Sequence, residues 1–316
     1  MMPHRMAMIQ KANRERPLTH TPMLAIAGDS AVGKTTLTQG LVEALGQENI
    51  RSFCTDDYHR YDRIERKALP FTPLHPECNY LQIMEQHLQL VAMGQPILKP
   101  VYDHHHGTLE RPELFEPGGF VVVEGLFPLW SKLSRACFDV TVYLDPPEPI
   151  RRAWKVKRDV GQRGYTEEQV LADLEKREPE SAAYIRPQRA YADIVISFGR
   201  AHADEDPNTP LSASILLRPT IDHPDLTYLL SSDTREAIHL KLIRDDDGKP
   251  VDALHVHGHA PAEVAQEVKM AIWSKLGIDE PLPDSLGRIS DDQKSEPLAV
   301  AQLYLLYHLL QAAATA

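Results

Sequence analysis

Residues 28–35 read GDSAVGKT and come directly after the short apolar run MLAIA at positions 23–27. The spacing is that of Gly-x-x-x-x-Gly-Lys-Thr, a loop that joins a buried strand to a helix and surrounds phosphate groups. Glycines let such a loop wrap closely, so that backbone N–H groups and the start of the helix face anionic oxygens. The stretch therefore predicts a nucleoside triphosphate site on a strand–loop–helix unit.

Two side chains of this loop have predicted roles. Lys34 is expected to reach the β- and γ-phosphates, and the hydroxyl of Thr35 is expected to bind Mg²⁺. The predicted nucleotide-binding residues of the loop are Gly28, Asp29, Ser30, Ala31, Val32, Gly33, Lys34, Thr35 and Thr36.

Composition limits the remaining classes of function. The chain has 316 residues, of which 42% are hydrophobic and 25% charged, as in an ordinary globular protein. A net charge of −11 argues against nucleic acid and anionic membrane surfaces as partners. No stretch approaches the roughly 18 apolar residues of a membrane span, and three cysteines fit no zinc or disulfide spacing. We expect a cytoplasmic protein that meets a small anionic substrate with a local basic pocket.

The first 200 residues alternate short apolar runs with helical patterns, which is typical of an α/β fold with a mostly parallel sheet flanked by helices. Strands are predicted near residues 23–27, 50–55, 120–123, 140–144 and 194–196. Helices are predicted near residues 33–45, 80–93, 148–160, 166–177 and 182–191, and TEEQ at 166–169 is typical of a capped helix start.

A polar segment at 199–210 precedes a region with a different pattern. Strands are predicted at 213–217, 237–243 and 251–256, the last two joined by an Asp247-Gly248 turn, and helices at 260–276 and 297–314. We expect a flexible tail (1–20), a P-loop domain (21–200) and a C-terminal α+β extension (201–316) that continues the sheet or supports oligomers. A homo-oligomer is expected, a dimer in preference, and the Leu303–Leu310 stripe is expected in the core or a subunit interface.

A charged segment, DDYHRYDRIERK at 56–67, follows the second predicted strand, where open α/β sheets bind ligands. A carboxylate beside a phosphate loop can take the proton of an acceptor hydroxyl, and Asp56 is the predicted base. Arg63 and Lys67 have helix-like spacing and are predicted to bind an anionic group of the acceptor. The alternative is a solvated charge run on a helix.

Further polar residues follow later strands and helices. Glu124 ends the third predicted strand and is predicted to bind Mg²⁺, the alternative being a simple strand-end acid. Arg158, Asp159 and Arg163 lie at the end of a predicted helix, as in a lid that closes over phosphates, although exposed helix arginines are common.

Histidines are clustered at two places. The run at 104–106 could bind a transition metal, but adjacent residues rarely point at one ion, and a loop with one acceptor-contacting histidine is favoured. His255, His257 and His259 share one face of a predicted strand. They could bind a metal or sense pH, and the alternative is that they are polar residues on the solvent-exposed face of an antiparallel strand.

Taken together, these motifs resemble the phosphoribulokinase and uridine kinase group of P-loop kinases, and within it the phosphoribulokinases, over about residues 23–198. The segment DDYHR at 56–60 decides the subgroup, because uridine kinases characteristically read Asp-Ser-Phe-Tyr there. KPVYDH at 99–104, EGL at 124–126, residues 155–166, PQ at 187–188 and YADIVI at 191–196 are also similar to that family.

The resemblance implies transfer of the γ-phosphate of ATP, with Mg²⁺, to the 1-hydroxyl of D-ribulose 5-phosphate. By position it implies catalytic roles for Asp56, Lys34, Arg158 and Asp159, metal roles for Thr35 and Glu124, and a nucleotide contact for Arg163. The substrate contacts that it implies are His59, Arg63, Lys67, Tyr102, His104 and Lys155.

Three positions depart from the family pattern. Plant and cyanobacterial members carry one regulatory cysteine in the phosphate loop and another before the Asp-Asp pair. Here Val32 replaces the cysteine of the loop and only Cys54 remains, so this disulfide switch cannot form. Phe127 replaces the usual histidine after Glu-Gly-Leu, and Arg60 replaces the plant-type serine. The alternatives are a uridine kinase, a kinase of another sugar, or a nucleotide-gated scaffold without turnover.

Overall fold

In a computed structural model, the residues described are 20–200, 206, 209–230, 237–277, 280–290 and 293–315. The chain divides into two units, one of residues 20–34 and 50–192, the other including residues 35–49 and 193–316. The expected N-terminal tail and most of the polar segment at 199–210 lie outside the described residues.

The strands are β1 (Met23–Gly28), β2 (Ile50–Cys54), β3 (Ile97–Asp103), β4 (Thr108–Phe115), β5 (Phe120–Gly125), β6 (Val140–Leu144), β7 (Ile194–Gly199), β8 (Ser212–Leu217), β9 (Ile238–Arg244), β10 (Pro250–Val256), β11 (Arg288–Ser290) and β12 (Gln293–Lys294). The α-helices are α1 (Lys34–Leu45), α2 (Leu81–Ala92), α3 (Lys132–Arg135), α4 (Glu148–Arg163), α5 (Glu167–Glu180), α6 (Ala262–Ser274) and α7 (Glu296–Thr315).

The first unit is built on four parallel strands in the order β2-β5-β1-β6. Every residue of β1 and β5 is buried, which explains the apolar runs at 23–27 and 120–123. The register pairs Cys54 with Glu124 and Gly28 with Leu144, so the carboxyl ends of these strands lie at one edge. The predicted parallel α/β sheet is confirmed.

An antiparallel hairpin of β3 and β4 was not predicted. Most residues of β4, TLERPELF, are exposed, so its sequence has neither an apolar run nor an alternating pattern. Strand β3 carries Tyr102, and the turn between β3 and β4 contains His104.

Helix ends follow their sequence signals with one exception. Gly164 ends α4 in the left-handed conformation, and the side chains of Thr166 and Gln169 form the predicted capping box of α5. The stretch predicted as helical at 182–191 is helical but not α-helical: a π-helical turn (Ser181–Ile185) is followed by a 3-10 helix (Arg186–Tyr191). Pro187 lacks the N–H that a continuing α-helix needs.

The core of the first unit lies between the sheet and α2. Its buried members include Met23, Phe53, Tyr58, Met84 and Phe127. Phe127 is only 1% exposed and contacts Trp130 edge to face. Phe127, one of the three residues that depart from the family pattern, is therefore a core side chain.

In the second unit, β7, β8, β10 and β9 are antiparallel neighbours in that order, and the chain turns between β9 and β10 at Asp247-Gly248. The predicted C-terminal strands and helices are confirmed. Gln302 of α7 is fully buried, accepts from the N–H of Gly287 at 2.7 Å and donates to the carbonyl of Thr36 in α1 at 3.1 Å. This amide joins α7 to the helix that follows the phosphate loop.

Helix α7 is mostly apolar, and residues Glu296–Ala314 are long and apolar enough to cross a membrane. The expectation that no stretch is long and apolar enough for a membrane span is therefore wrong. About 72% of the most apolar part of α7 is buried inside the structure, as in the core helix of a globular fold.

Candidate active site

The phosphate loop leaves β1 through a position that accepts only glycine. Gly28 has φ +150°, and a Cβ there would lie 2.9 Å from the carbonyl oxygen of Leu144. Lys34 closes the loop, because its Nζ donates to the carbonyls of Gly28 at 3.0 Å and Asp29 at 2.7 Å. The loop is thus preformed, with the lysine ammonium group held at its centre.

Asp29 fixes the loop from its buried side. Its Oδ1 accepts from the N–H of Ser30 at 2.7 Å, and its Oδ2 accepts from the hydroxyl of Ser181 in the π-helical turn. The guanidinium of Arg151 lies 3.6 Å from Oδ1. Asp29 therefore supports the loop and is occupied by protein partners.

Asp56 and Asp57 lie in the 3-10 turn Thr55–Tyr58 at the end of β2, and their surroundings differ. Asp57 accepts from the ammonium of Lys99 at 2.6 Å and from the N–H of Tyr102 at 3.0 Å, so it anchors the hairpin. Asp56 has a buried Oδ1 without a hydrogen-bond partner among the described residues, and its Oδ2 lies 3.8 Å from Nε2 of His104. Asp56 is the carboxylate available for chemistry.

The pKa of Asp56 is lowered from its ordinary value. Burial favours the neutral acid and acts to raise the pKa, but His59, His104, Lys34 and Arg163 together outweigh it. Asp56 is therefore an ionised carboxylate at neutral pH, with one oxygen that lacks a donor.

His59 lies three residues after Asp56 and is held in a single tautomer. Its Nδ1 is 2.7 Å from Oδ1 of Asn79, whose amide nitrogen donates to the carbonyls of Pro73 and His75. Since the amide oxygen can only accept, Nδ1 carries the proton and Nε2 is an acceptor. Burial lowers the pKa of His59 to about 4, so the ring is neutral at pH 7.

The rings of Tyr102, His59 and His104 lie close together. The ring centroid of Tyr102 is 4.9 Å from that of His59 and 5.1 Å from that of His104. Arg66 lies over the face of Tyr102 at 4.9 Å and donates to its hydroxyl, and its other terminal nitrogen is buried without a partner among the described residues. Arg66 is thus a cation with unused hydrogen-bonding capacity.

Arg63 and Lys67 have different surroundings. The helix expected there is a short 3-10 turn, Glu65–Ala68, which Arg63 precedes. The guanidinium of Arg63 donates to the carbonyls of His104 at 2.6 Å and His105 at 3.3 Å, whereas Lys67 is exposed. Arg63 therefore braces the hairpin turn beside the site.

A cluster of cations on α4 surrounds one buried carboxylate. Asp159 lies 2.7 Å from Nζ of Lys155, 2.8 Å from Nε of Arg158 and 3.5 Å from Arg163. Burial opposes ionisation of Asp159, but hydrogen bonds from Arg158 and Lys155 lower its pKa to about 2. Arg158 also donates to the hydroxyl of Ser30 at 3.2 Å, which places the cluster beside the phosphate loop.

The predicted metal-binding residues lie at strand and helix ends. Glu124 is buried near the end of β5, beside Cys54 in the register. Burial raises the pKa of the Cys54 thiol, and the charges of Asp56 and Glu124 raise it further. Thr35 and Thr36 are exposed in the first turn of α1. Oxygen donors of this kind suit Mg²⁺.

Sequence reasoning did not single out Arg66 or Asn79. In the sequence Arg66 is one of several charged residues at 56–67, and its contact with Tyr102 is what distinguishes it. Asn79 acts through the tautomer of His59 from a position 20 residues later. A single sequence carries no signal for such a contact.

Comparison with known proteins gives consistent results. The sequence profile of the phosphoribulokinase / uridine kinase family matches residues 23–203. Phosphoribulokinase of Synechocystis sp. is 40% identical over 61% of this chain and 58% of its own length. The chloroplastic phosphoribulokinase of Mesembryanthemum crystallinum is 34% identical over 56% of this chain and 49% of its own length. The chain therefore spans about half the length of these relatives.

The fold is similar to that of a solved structure. Phosphoribulokinase from Rhodobacter spheroides aligns with 81% of this chain and 96% of its own, with a TM-score of 0.58 and 19% identity. At that identity the likeness concerns the fold.

Proposed function

We propose that this chain, which belongs to the phosphoribulokinase / uridine kinase family, is an ATP-dependent kinase that phosphorylates the 1-hydroxyl of D-ribulose 5-phosphate. The observation that carries the proposal is the ionised carboxylate of Asp56, whose buried Oδ1 lacks a donor at the edge of the sheet beside the phosphate loop. A buried carboxylate oxygen without a hydrogen bond destabilises the protein by roughly 1–3 kcal/mol. A substrate hydroxyl that donates a hydrogen bond to this oxygen therefore gains that energy on binding.

The cations of the site support a phosphorylated acceptor. Lys155, Arg158 and Arg163 share the single carboxylate of Asp159, with the more exposed Asp173 3.4 Å from Lys155. Burial, and to a smaller extent the like charge of Arg158, lowers the pKa of Arg163. Such an excess of positive charge favours two anions, the triphosphate and the phosphate of the sugar, whereas uridine carries no phosphate.

His59 has a different role in this proposal. Because its free ring nitrogen is an acceptor, it receives a hydrogen bond from a sugar hydroxyl instead of pairing with a phosphate. Arg66 is the main cation proposed for the phosphate end of the acceptor, with smaller contributions from Arg63 and Lys67. Tyr102 and His104 are proposed to line the sugar.

ATP and Mg²⁺ fit the donors of the loop. The N–H groups of residues 28–34 and the ammonium of Lys34 would hold the phosphates. Mg²⁺ would be held by the hydroxyl of Thr35 and the carboxylate of Glu124, both hard oxygen donors, and it supplies positive charge to the phosphate oxygens.

The proposed reaction is an in-line transfer. The acceptor hydroxyl gives its proton to Asp56, its oxygen forms a bond to the γ-phosphorus, and the bond from that phosphorus to the β–γ bridging oxygen breaks to leave ADP. Arg158 and Arg163 stabilise charge on the transferred group, and Asp159 holds them in place. The products are ribulose 1,5-bisphosphate, ADP and a proton.

A coupled assay of ADP release tests this proposal with D-ribulose 5-phosphate, uridine, cytidine and pantothenate as acceptors. We expect a clear preference for ribulose 5-phosphate, and Asp56→Asn is expected to lower kcat about 100-fold or more while ATP binding is retained. A preference for a nucleoside would establish a uridine kinase instead. ATP binding with no turnover on any acceptor would favour the scaffold.

The setting of the enzyme is part of the same proposal. We propose a cytoplasmic homo-oligomer, a dimer in preference, that acts on small molecules and binds neither nucleic acid nor membrane. The net charge of −11 supports the absence of polyanionic partners. Light scattering of the purified protein gives the oligomeric state.

A further inference from the structure

Three donor atoms of different chemistry meet beside the phosphate loop. The Sγ of Cys54, a carboxylate oxygen of Asp56 and a ring nitrogen of His104 all lie within 4.8 Å of one another. Cys54 ends β2, Asp56 lies in the next turn, and His104 comes from the hairpin turn. Each of the three residues is partly exposed, so a dissolved ion can reach them.

The spacing of these donors is close to that of a coordination sphere. Zinc bonds to sulfur, nitrogen and oxygen are about 2.0–2.3 Å long, which puts tetrahedral ligands roughly 3.5 Å apart. Asp56 Oδ2 and His104 Nε2 are already 3.8 Å apart. The unpartnered, buried Oδ1 of Asp56 is an independent sign that this carboxylate lacks a ligand.

The donor set selects the kind of metal. Thiolate and imidazole are soft or borderline ligands that favour zinc and its neighbours, whereas Mg²⁺ requires oxygen donors in an octahedron. Three protein ligands also leave a fourth tetrahedral position open to water. A zinc-class ion therefore fits this group, and the Mg²⁺ that accompanies ATP does not.

We propose that Cys54, Asp56 and His104 form a binding site for a zinc-class divalent cation. Binding forms metal–sulfur, metal–nitrogen and metal–oxygen bonds, and the thiol proton is released to solvent. If the proposed function holds, the bound ion occupies the carboxylate that takes the proton of the acceptor. Zinc is then an inhibitor that competes with the sugar and not with ATP.

Cobalt titration tests the site without any turnover. Co²⁺ added to the ATP-free full chain is expected to give the near-ultraviolet charge-transfer band of a cobalt–thiolate bond. Cys54→Ser removes the band, and Cys137→Ser, which changes another partly exposed free thiol, retains it. Absence of the band in the unchanged protein, or its survival in Cys54→Ser, would overturn the proposal.

Zinc calorimetry measures the other ligands. We expect Cys54→Ser and His104→Gln each to weaken Zn²⁺ binding at least about tenfold relative to Cys137→Ser, with thermal melts confirming that all variants fold. Affinities equal to that of the control would exclude the site.

Inhibition connects the site to the proposed reaction. With each variant's zinc-free turnover as its own reference, Zn²⁺ is expected to raise KM for the acceptor in the Cys137→Ser control and to lose about tenfold in potency in Cys54→Ser. Binding without turnover on any acceptor would refute only the proposed function. Turnover without binding would refute only the zinc site.

Discussion

Arg66 and Lys67 are adjacent in sequence, yet their surroundings are opposite. Arg66 lies on the ring of Tyr102 with one terminal nitrogen buried and unpartnered, while Lys67 is exposed to solvent. A guanidinium presents several donors in a fixed plane, which suits a phosphate group. At the scale of single residues, we therefore expect Arg66 to contribute more to acceptor binding than Lys67.

Arg66→Ala is expected to raise KM for ribulose 5-phosphate about tenfold or more, since a hydrogen bond to a charged group is worth about 1.5–3 kcal/mol. Lys67→Ala is the matched control and is expected to change KM less than about threefold, as for an exposed charge pair. Steady-state kinetics with saturating ATP gives both values. Equal effects of the two changes would show that Arg66 has no special role.

The sequence allowed Asp56 to be predicted because strand ends meet at the ligand-binding edge of a parallel sheet. It could not separate Arg66 from Lys67, because the helix-like spacing assumed for this segment does not exist: only Glu65–Ala68 forms a 3-10 turn. In such a turn the direction of each side chain depends on its packing partner, here Tyr102.

At the scale of elements, the β3–β4 hairpin depends on one buried ion pair. Lys99 Nζ lies 2.6 Å from Asp57 and 3.2 Å from Glu113, and its side chain is only 5% exposed. Asp57 also receives the N–H of Tyr102. The second acid of the Asp-Asp pair therefore positions the strand that carries Tyr102, whereas Asp56 is the proposed base.

Lys99→Met is expected to lower the free energy of unfolding by roughly 3–5 kcal/mol, because it leaves the carboxylate of Asp57, whose side chain is only 14% exposed, without its cation. Asp57→Asn combined with Lys99→Met is expected to cost less than the sum of the single changes, with a coupling of about 1–3 kcal/mol. Urea denaturation of the single and double variants provides the cycle.

The exposed pair Lys249–Asp247 is a matched control for this cycle, since its side chains are 81% and 52% exposed. Its coupling is expected to stay below about 1 kcal/mol. Strict additivity at Lys99 and Asp57 would show that the ion pair does not hold the hairpin.

The elements that the sequence predicted well are those with one dominant local signal. Strand β1 is an apolar run, β5 is apolar up to Glu124, α5 starts with a capping box, and the β9–β10 turn has Asp247-Gly248. The hairpin could not be predicted because it is stabilised by Lys99 and Asp57, which are 42 residues apart. The π-helical turn at Ser181 likewise depends on a distant partner, Asp29.

At the scale of the whole molecule, both units bury histidines in the neutral form. His59 is buried in the first unit, and burial lowers its pKa to about 4. His308 of α7 is 4% exposed in the second unit and lies 3.1 Å from His223. Burial, and then the charge of His223, lower its pKa to about 3. Unfolding exposes such rings to water, where their pKa is about 6.5.

These rings make the fold sensitive to acid. The unfolded chain takes up a proton at His308 as the pH falls below about 6.5, whereas the folded chain does so only near pH 3. The stability due to the neutral ring is therefore fully present above pH 6.5 and is lost on acidification, at about 1.4 kcal/mol per pH unit.

His308→Gln removes this proton uptake and is expected to flatten the pH dependence of the unfolding free energy by about 1.4 kcal/mol per pH unit between pH 6 and 4. Urea denaturation at several pH values measures the slope. His259→Gln changes an exposed histidine of the same unit and is expected to leave the slope unchanged. An unaltered slope in His308→Gln would mean that the ring is protonated in the folded protein, with water or a charge reaching it inside the second unit.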